Sequence, residues 1–306
     1  MTAAKGRRVS VKVGGQAIIE GVLMMGRNVA IAVRNEKGEI VVERIGKRTP
    51  SSSKWFRIPF IRGLVSLYYS LYYGIYALNR SAEISTGEKM KKSESFWTLV
   101  LALALAVGLF LILPVFLVGL FKPLKDNEFL FSLTEGFFRV GLFLIYVAVI
   151  STFKDVKRLF QYHGAEHKTI HAFEASEPLV VQNIKKHSTI HPRCGTNFIM
   201  IFLIVSVIVF SLLGIAGPLS AIERVISRVV LIPIVMGLSY EFLRAASKGS
   251  RLLRVLSLPG LILQKMTTAE PDEKQIETAI SALQAAIEEQ DTSQQEIEKE
   301  GPEFFG

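Results

Sequence analysis

The stretch FWTLVLALALAVGLFLILPVFLVGLF, Phe96 to Phe121, contains no charged residue, and about 20 apolar residues suffice to cross the hydrocarbon core of a bilayer. It predicts a transmembrane helix. The stretch NFIMIFLIVSVIVFSLLGIAGPL, Asn197 to Leu219, repeats the pattern, again with no ionisable group. Phe137 to Phe153 and Val229 to Leu243 are shorter, with Arg139 at the margin of one and Glu241 near the end of the other. Together they predict four spans. Half of the 306 residues are hydrophobic, which suits a membrane protein with polar lobes better than a soluble domain.

Basic residues near helix ends stay on the cytoplasmic side of a membrane. Lys89, Lys91 and Lys92 precede the first span; Lys154, Lys157, Arg158, Lys168, Lys185, Lys186 and Arg193 crowd the segment between the second and third; Arg244, Lys248, Arg251 and Arg254 follow the fourth. Both termini and the central polar segment are therefore expected in the cytoplasm, with the loops Lys122–Thr134 and Gly217–Ser227 outside. No apolar run follows Met1, so the first span is expected to direct insertion itself. The net charge of +9 lies mostly beside the spans and reads as attraction to anionic lipid rather than to nucleic acid.

The segments around the spans divide the chain further. Residues 1–48 form a β-rich cytoplasmic lobe, in which Val29–Arg34 and Glu39–Glu43 flank the turn Asn35–Gly38 as a hairpin. Residues 49–95 hold a Thr49–Ser53 linker and then Trp55–Arg80, where Tyr68, Tyr72 and Tyr76 recur at helical spacing. Such an aromatic stripe predicts an interfacial or re-entrant helix, with a fifth full span as the alternative. The first pair of spans occupies 96–153, a His/Cys segment 154–196 and the second pair 197–243. The stretch 244–290 is a cytoplasmic tail, with a short interfacial piece at Leu258–Leu263 and an amphipathic helix whose apolar face is Ile276, Ile280, Leu283 and Ile287. Residues 291–306 are a flexible tail. The fold expected is thus a mostly α-helical multi-pass membrane protein with a small N-terminal β lobe.

All five histidines and the single cysteine fall between His163 and Cys194. Lys154 to Glu174 predicts a helix, stopped by Glu177-Pro178, that places His163, Glu166, His167 and His171 on one face. The string His163-x-x-Glu166-His167 is the inverzincin order, in which two neutral imidazoles hold zinc and the glutamate takes a proton from water. His187, His191 and Cys194 add donors at i, i+4 and i+7, and a short connection lets them fold back. The candidate metal ligands are therefore His163, His167, His191 and Cys194, with His171 and Glu241 as further choices, and Glu166 is the candidate general base. Glu20 and Gly21 could approach from the β lobe. Gly14-Gly15-Gln16 matches a loop of peptide-release factors over three residues only, and Gly-Gly reads more plainly as a tight turn.

Gly14–Val22, Tyr162–Lys168, His191–Phe198 and Leu263–Thr268, taken together, resemble the bacterial YqhQ-like family over nearly the whole chain, from about Val11 to Leu283. The resemblance implies a multi-pass protein of the bacterial cytoplasmic membrane, described as a metal-dependent enzyme, with motif positions at His163, Glu166, His167, His191, Arg193 and Cys194. Two functions follow as expectations. One is a zinc-dependent hydrolase with a cytoplasmic-facing site, acting on a peptide bond or a lipid-linked ester. The other is a non-enzymatic membrane scaffold or biogenesis factor whose zinc pins the histidine segment to the β lobe.

Overall fold

The computed structural model describes residues 12–47, 55, 58–89, 91–125, 127–217, 219–247 and 258–288. The Thr49–Ser53 linker and the 291–306 tail lie outside them. Strands β1 (Gly14–Ile18), β2 (Gly21–Met25), β3 (Asn28–Arg34) and β4 (Ile40–Lys47) form an antiparallel meander in that order. The expected hairpin is β3–β4, with Val33 opposite Val41 and Gly38 at φ +81° in its turn, a conformation without steric cost only for glycine. Gly14-Gly15 is not a turn. It lies in β1, opposite Met25 and Met24, and the reversal falls at Ile19-Glu20, with Glu20 at φ +51°.

Helices α1 (Ile61–Thr86), α6 (Lys154–Glu174) and α11 (Glu273–Ile287) enclose this sheet. Alternate strand residues point to opposite faces. Val22, Met24, Ala30 and Ala32 meet Tyr162, Ala165, Ile276 and Leu283 of α6 and α11, whereas Leu23, Ile31 and Val33 meet Ala77 and Tyr73 of α1. Both faces are covered, so the strands carry apolar residues on each side. The amphipathic tail helix packs as expected, capped by Asp272 and Gln275 in a reciprocal capping box. Its last turn is tied to the sheet by Asn28, whose Nδ2 donates to Glu288 O at 3.1 Å.

Three helices are long and apolar enough to cross a membrane: Ser93–Gly119, Glu128–Ile150 and Gly195–Leu213. The first is built from α2 (Lys92–Val107), a π-turn (Gly108–Ile112) and α3 (Leu113–Gly119). Pro114 explains the irregularity, because it lacks the N–H that would bond Phe110 O four residues back. The freed carbonyl accepts instead from Arg139 Nε at 2.9 Å. After the short α4 (Lys122–Lys125), the second is α5 (Glu128–Ile150), which starts nine residues before the expected span. The third is α8 (Gly195–Leu213). The fourth expected span falls inside α9 (Ala221–Ser247), which carries Glu223, Arg224, Arg228, Glu241 and Arg244 and is not among the three.

The expected outer loops are partly helix, with α5 starting at Glu128 and α9 at Ala221, and the charges at these ends pair between the two helices. Arg224 of α9 pairs with Glu128 of α5, and Arg228 pairs with Glu135, which also holds Arg139. Arg228 Nη2 donates to Ser132 Oγ at 2.9 Å, and the Arg224 guanidinium lies 3.8 Å from the Phe131 ring centre. All five charged side chains are buried.

Two expected interfacial pieces are packed on one face, while Tyr68, Tyr72 and Tyr76 of the first and Ile262 of the second stay exposed. The N-terminal end of α1 leans on α9, where Arg62 clasps Glu241, and its later turns lie under the sheet. The last long element before the tail helix, α10 (Leu258–Thr267), buries Gly260, Leu263, Gln264 and Thr267 and lies against α8, where a side chain on Gly260 would strike Asn197 Oδ1 at 1.8 Å.

Candidate metal centre

Helix α6 spans the predicted range to the residue. It is not a polar surface helix: Tyr162 and the run Gly164–Ile170 are buried, between the sheet, α11 and the returning chain. After Ala175 the chain reverses at Ser176, φ +58°, passes through α7 (Val181–Ile184), and runs back along the histidine face. This return segment is not helical, so the i, i+4, i+7 spacing of His187, His191 and Cys194 does not form a helix face. Its carbonyls do the positioning. A carbonyl only accepts, so Thr189 O takes the Nδ1 proton of His167 and Ile190 O takes the Nε2 proton of His171, the latter at 2.9 Å.

His163 is fixed in the same way by Thr267 O, which accepts from Nδ1 at 2.8 Å. Both His163 and His167 therefore present the lone pair of Nε2. These two nitrogens and Cys194 Sγ lie within 4.8 Å of one another. Cys194 caps the start of α8, and its sulfur lies 3.1 Å from His163 Nε2 and 3.1 Å from Thr196 Oγ1. Glu166 Oε2 stands beside them, 3.4 Å from His167 Nε2 and 4.0 Å from His163 Nε2.

The electrostatics follow from burial. Desolvation pushes the Glu166 carboxyl up to about 8, partly opposed by His163 and by the backbone N–H of Gly15. It pushes His167 down to about 2, with the neighbouring His163 adding to the effect, so this imidazole is neutral and free to act as a ligand. Burial likewise raises the Cys194 thiol, against the Thr196 hydroxyl and the amides of Thr196 and Asn197. A divalent cation would reverse that last balance, because coordination favours the thiolate. Two imidazole nitrogens with one sulfur suit zinc in donor type, and backbone carbonyls on the far nitrogens are the usual orienting partners of metal-bound histidine. The residues fit the ion.

The other candidates are placed elsewhere. His191 is near but turned away: its Nε2 is 3.5 Å from Glu174 Oε2, its Nδ1 accepts from Arg193 N at 3.3 Å, and burial lowers it to about 4. His171 lies beside His191, ring centres 4.7 Å apart. Arg193 pairs with Glu174. Glu241 does not reach the histidines, because Arg62 and the Phe60 amide hold its carboxylate. Glu20 does approach α6 from the β lobe, but it grips Arg158 and accepts from Tyr162 Oη at 3.2 Å and is not among the clustered donors.

Sequence reading missed three supports. Gln264 brackets the main chain of His191, accepting from its N at 2.9 Å and donating to its O at 3.0 Å. Lys168, buried, donates to Lys185 O at 2.9 Å and pairs with Glu270. Gly164 leaves room for Ala269 O, which a side chain would meet at 2.1 Å. Gln264 and Thr267 lie in the Leu263–Thr268 motif, the one signal that could have pointed to them.

Residues 58–289 match the family described as "Protein of unknown function (DUF1385)". The chain is 35% identical over 302 residues to "Uncharacterized protein YqhQ" of Bacillus subtilis (strain 168), covering 92% of this chain and 94% of that one. No solved structure matches. The chain belongs to the DUF1385 family, alongside the YqhQ protein of B. subtilis.

Proposed function

We propose that this chain is a membrane-embedded, zinc-dependent hydrolase of the bacterial cytoplasmic membrane, with His163, His167 and Cys194 as ligands and Glu166 as the proton acceptor. The observation that carries the reading is the convergence of two carbonyl-oriented Nε2 atoms and one sulfur within 4.8 Å, with a buried carboxylate alongside. Three protein ligands would leave one position for water or substrate, as in catalytic rather than structural zinc sites. Zinc bound there supplies Lewis acidity that polarises a carbonyl and acidifies water. The positive charge of a bound cation would lower the buried Glu166 carboxyl from about 8, with the Gly15 N–H acting in the same direction, and leave Oε2 ionised to receive the proton. The substrate class is a peptide bond or a lipid-linked ester presented at the cytoplasmic face. In this reading α9 is the fourth span, its arginines neutralised by Glu128 and Glu135, and both termini are cytoplasmic.

One observation favours a second reading, a scaffold held by a structural zinc. The side chains of His167 and Glu166 are only 2% and 5% exposed, and Glu166 lies close enough to both Nε2 atoms to close the shell itself. Glu166→Gln separates the two. For a hydrolase, the variant keeps its fold and nearly all its zinc and fails to complement a deletion strain. For a scaffold using Glu166 as ligand, zinc and function fall together, and intact function in Glu166→Gln sinks the hydrolase reading.

A further inference from the structure

Residues four apart on a helix share a face and rise about 6 Å per step, so His163, His167 and His171 climb α6 as a ladder. The return segment carries His187 and His191 against it. The rings interleave into one file: centres are 4.4 Å apart from His163 to His167, 5.6 Å from His167 to His191, 4.7 Å from His191 to His171 and 6.1 Å from His171 to His187. The file starts at the buried centre and ends near solvent, where His187 donates from Nε2 to Glu177 at 3.1 Å and the Glu174 and Glu177 side chains are 40% and 41% exposed.

Resting on the metal centre above, we propose that His191, His171 and His187 form a relay through which a transition-metal ion passes between solvent and that centre. A hydrated ion cannot diffuse through close-packed protein, and on the side of His167 and Glu166, 2% and 5% exposed against 12% for His163, it needs a chain of donor atoms. An ion bonded to imidazole nitrogen at about 2.0–2.1 Å sits roughly 3 Å from the ring centre, so each step of the file is short enough for neighbouring rings to share it. His191 becomes a donor when the ion displaces the Arg193 amide from its Nδ1, and the lone pairs are in place at the outer end. His171 and His187 spend their Nε2 protons on Ile190 O and Glu177, leaving Nδ1 of each as a donor atom, and the two exposed carboxylates attract the cation.

The test uses full-length protein in detergent, stripped by chelation and mixed rapidly with zinc and a zinc-responsive dye, read both as rate and as final content. The variants are His187→Ala and the double variant His171→Gln/His187→Ala, in which glutamine keeps a donor for Ile190 O. The double variant is expected to load and release zinc at least tenfold more slowly while reaching the wild-type content. His187→Ala alone, at the exposed end where folding is least at risk, is expected to show part of the slowing. A wild-type rate in either overturns the relay and leaves the centre standing. Reduced final content makes these histidines ligands and also overturns it, and no zinc uptake by the wild type overturns relay and centre together.

Discussion

Gly15 and Glu166 are in direct contact across the interface of β1 and α6: a side-chain carbon on Gly15 would fall 2.7 Å from Glu166 Cγ and 2.8 Å from its Oε1. The Gly15 backbone N–H also favours the ionised form of that carboxylate. The β lobe thereby supplies one wall of the centre. Gly15→Ala is expected to displace Glu166, costing about 1–3 kcal/mol by overpacking, and to weaken zinc binding about tenfold, as loss of an orienting partner does. Thermal unfolding with zinc titration of the same sample checks both; wild-type affinity in Gly15→Ala would separate the lobe from the site.

The ligand set makes a graded prediction. Wild-type protein is expected to carry about one zinc per chain, as a site with three protein ligands holds a single ion. His163→Ala/His167→Ala should lose nearly all of it and Cys194→Ser most of it. His191→Ala and Glu241→Gln should retain it, since the one faces Glu174 and the other Arg62. Elemental analysis of purified protein decides, and full zinc in the double histidine variant would remove both from the shell.

Glu135 is the hinge of the buried ionic cluster, because Arg139 and Arg228 both depend on it. Glu135→Gln leaves two buried guanidiniums without an anionic partner, a loss of about 3–5 kcal/mol by analogy with broken buried pairs. The expected readout is a sharply lower melting temperature in detergent and poor accumulation in membranes. A silent substitution would show that the cluster is hydrated and the α5–α9 contact weak.

Reporter fusions at Asn127 and Ser220 are expected to give the outer signal, and one at Glu177 the cytoplasmic signal. The motivating observation is the density of basic residues around α6 and the end of α9. An outer signal at Glu177 would reverse the orientation and place Cys194 in an oxidising compartment.

Gln264→Leu tests how far the centre depends on α10. It removes both hydrogen bonds to the His191 main chain and leaves buried polar groups unpaired, at about 1–3 kcal/mol each. Lower thermal stability with zinc content nearly unchanged is expected, since His191 lies outside the ligand set; loss of zinc in this variant would draw His191 back into it.

The sequence by itself determined the parts governed by local periodicity. An uncharged run such as Phe96–Phe121 has no stable place but an apolar solvent, and the 3.6-residue spacing of His163, Glu166 and His167 puts them on one face of α6 whatever surrounds it. The β3–β4 hairpin and the α11 face were legible for the same reason. What only the tertiary structure decided were relationships between distant segments. Hydropathy counts Glu128, Glu135, Arg224 and Arg228 as costs and so shortened α5 and α9, because their partners lie on another helix. Which histidines share a centre depended on which nitrogen each carbonyl takes, and Thr189, Ile190 and Thr267 act through backbone oxygens that side-chain patterns cannot reveal. Gly15 looked like a turn because glycine is read first as conformational freedom. Its actual use, room for Glu166, exists only once β1 and α6 are packed together.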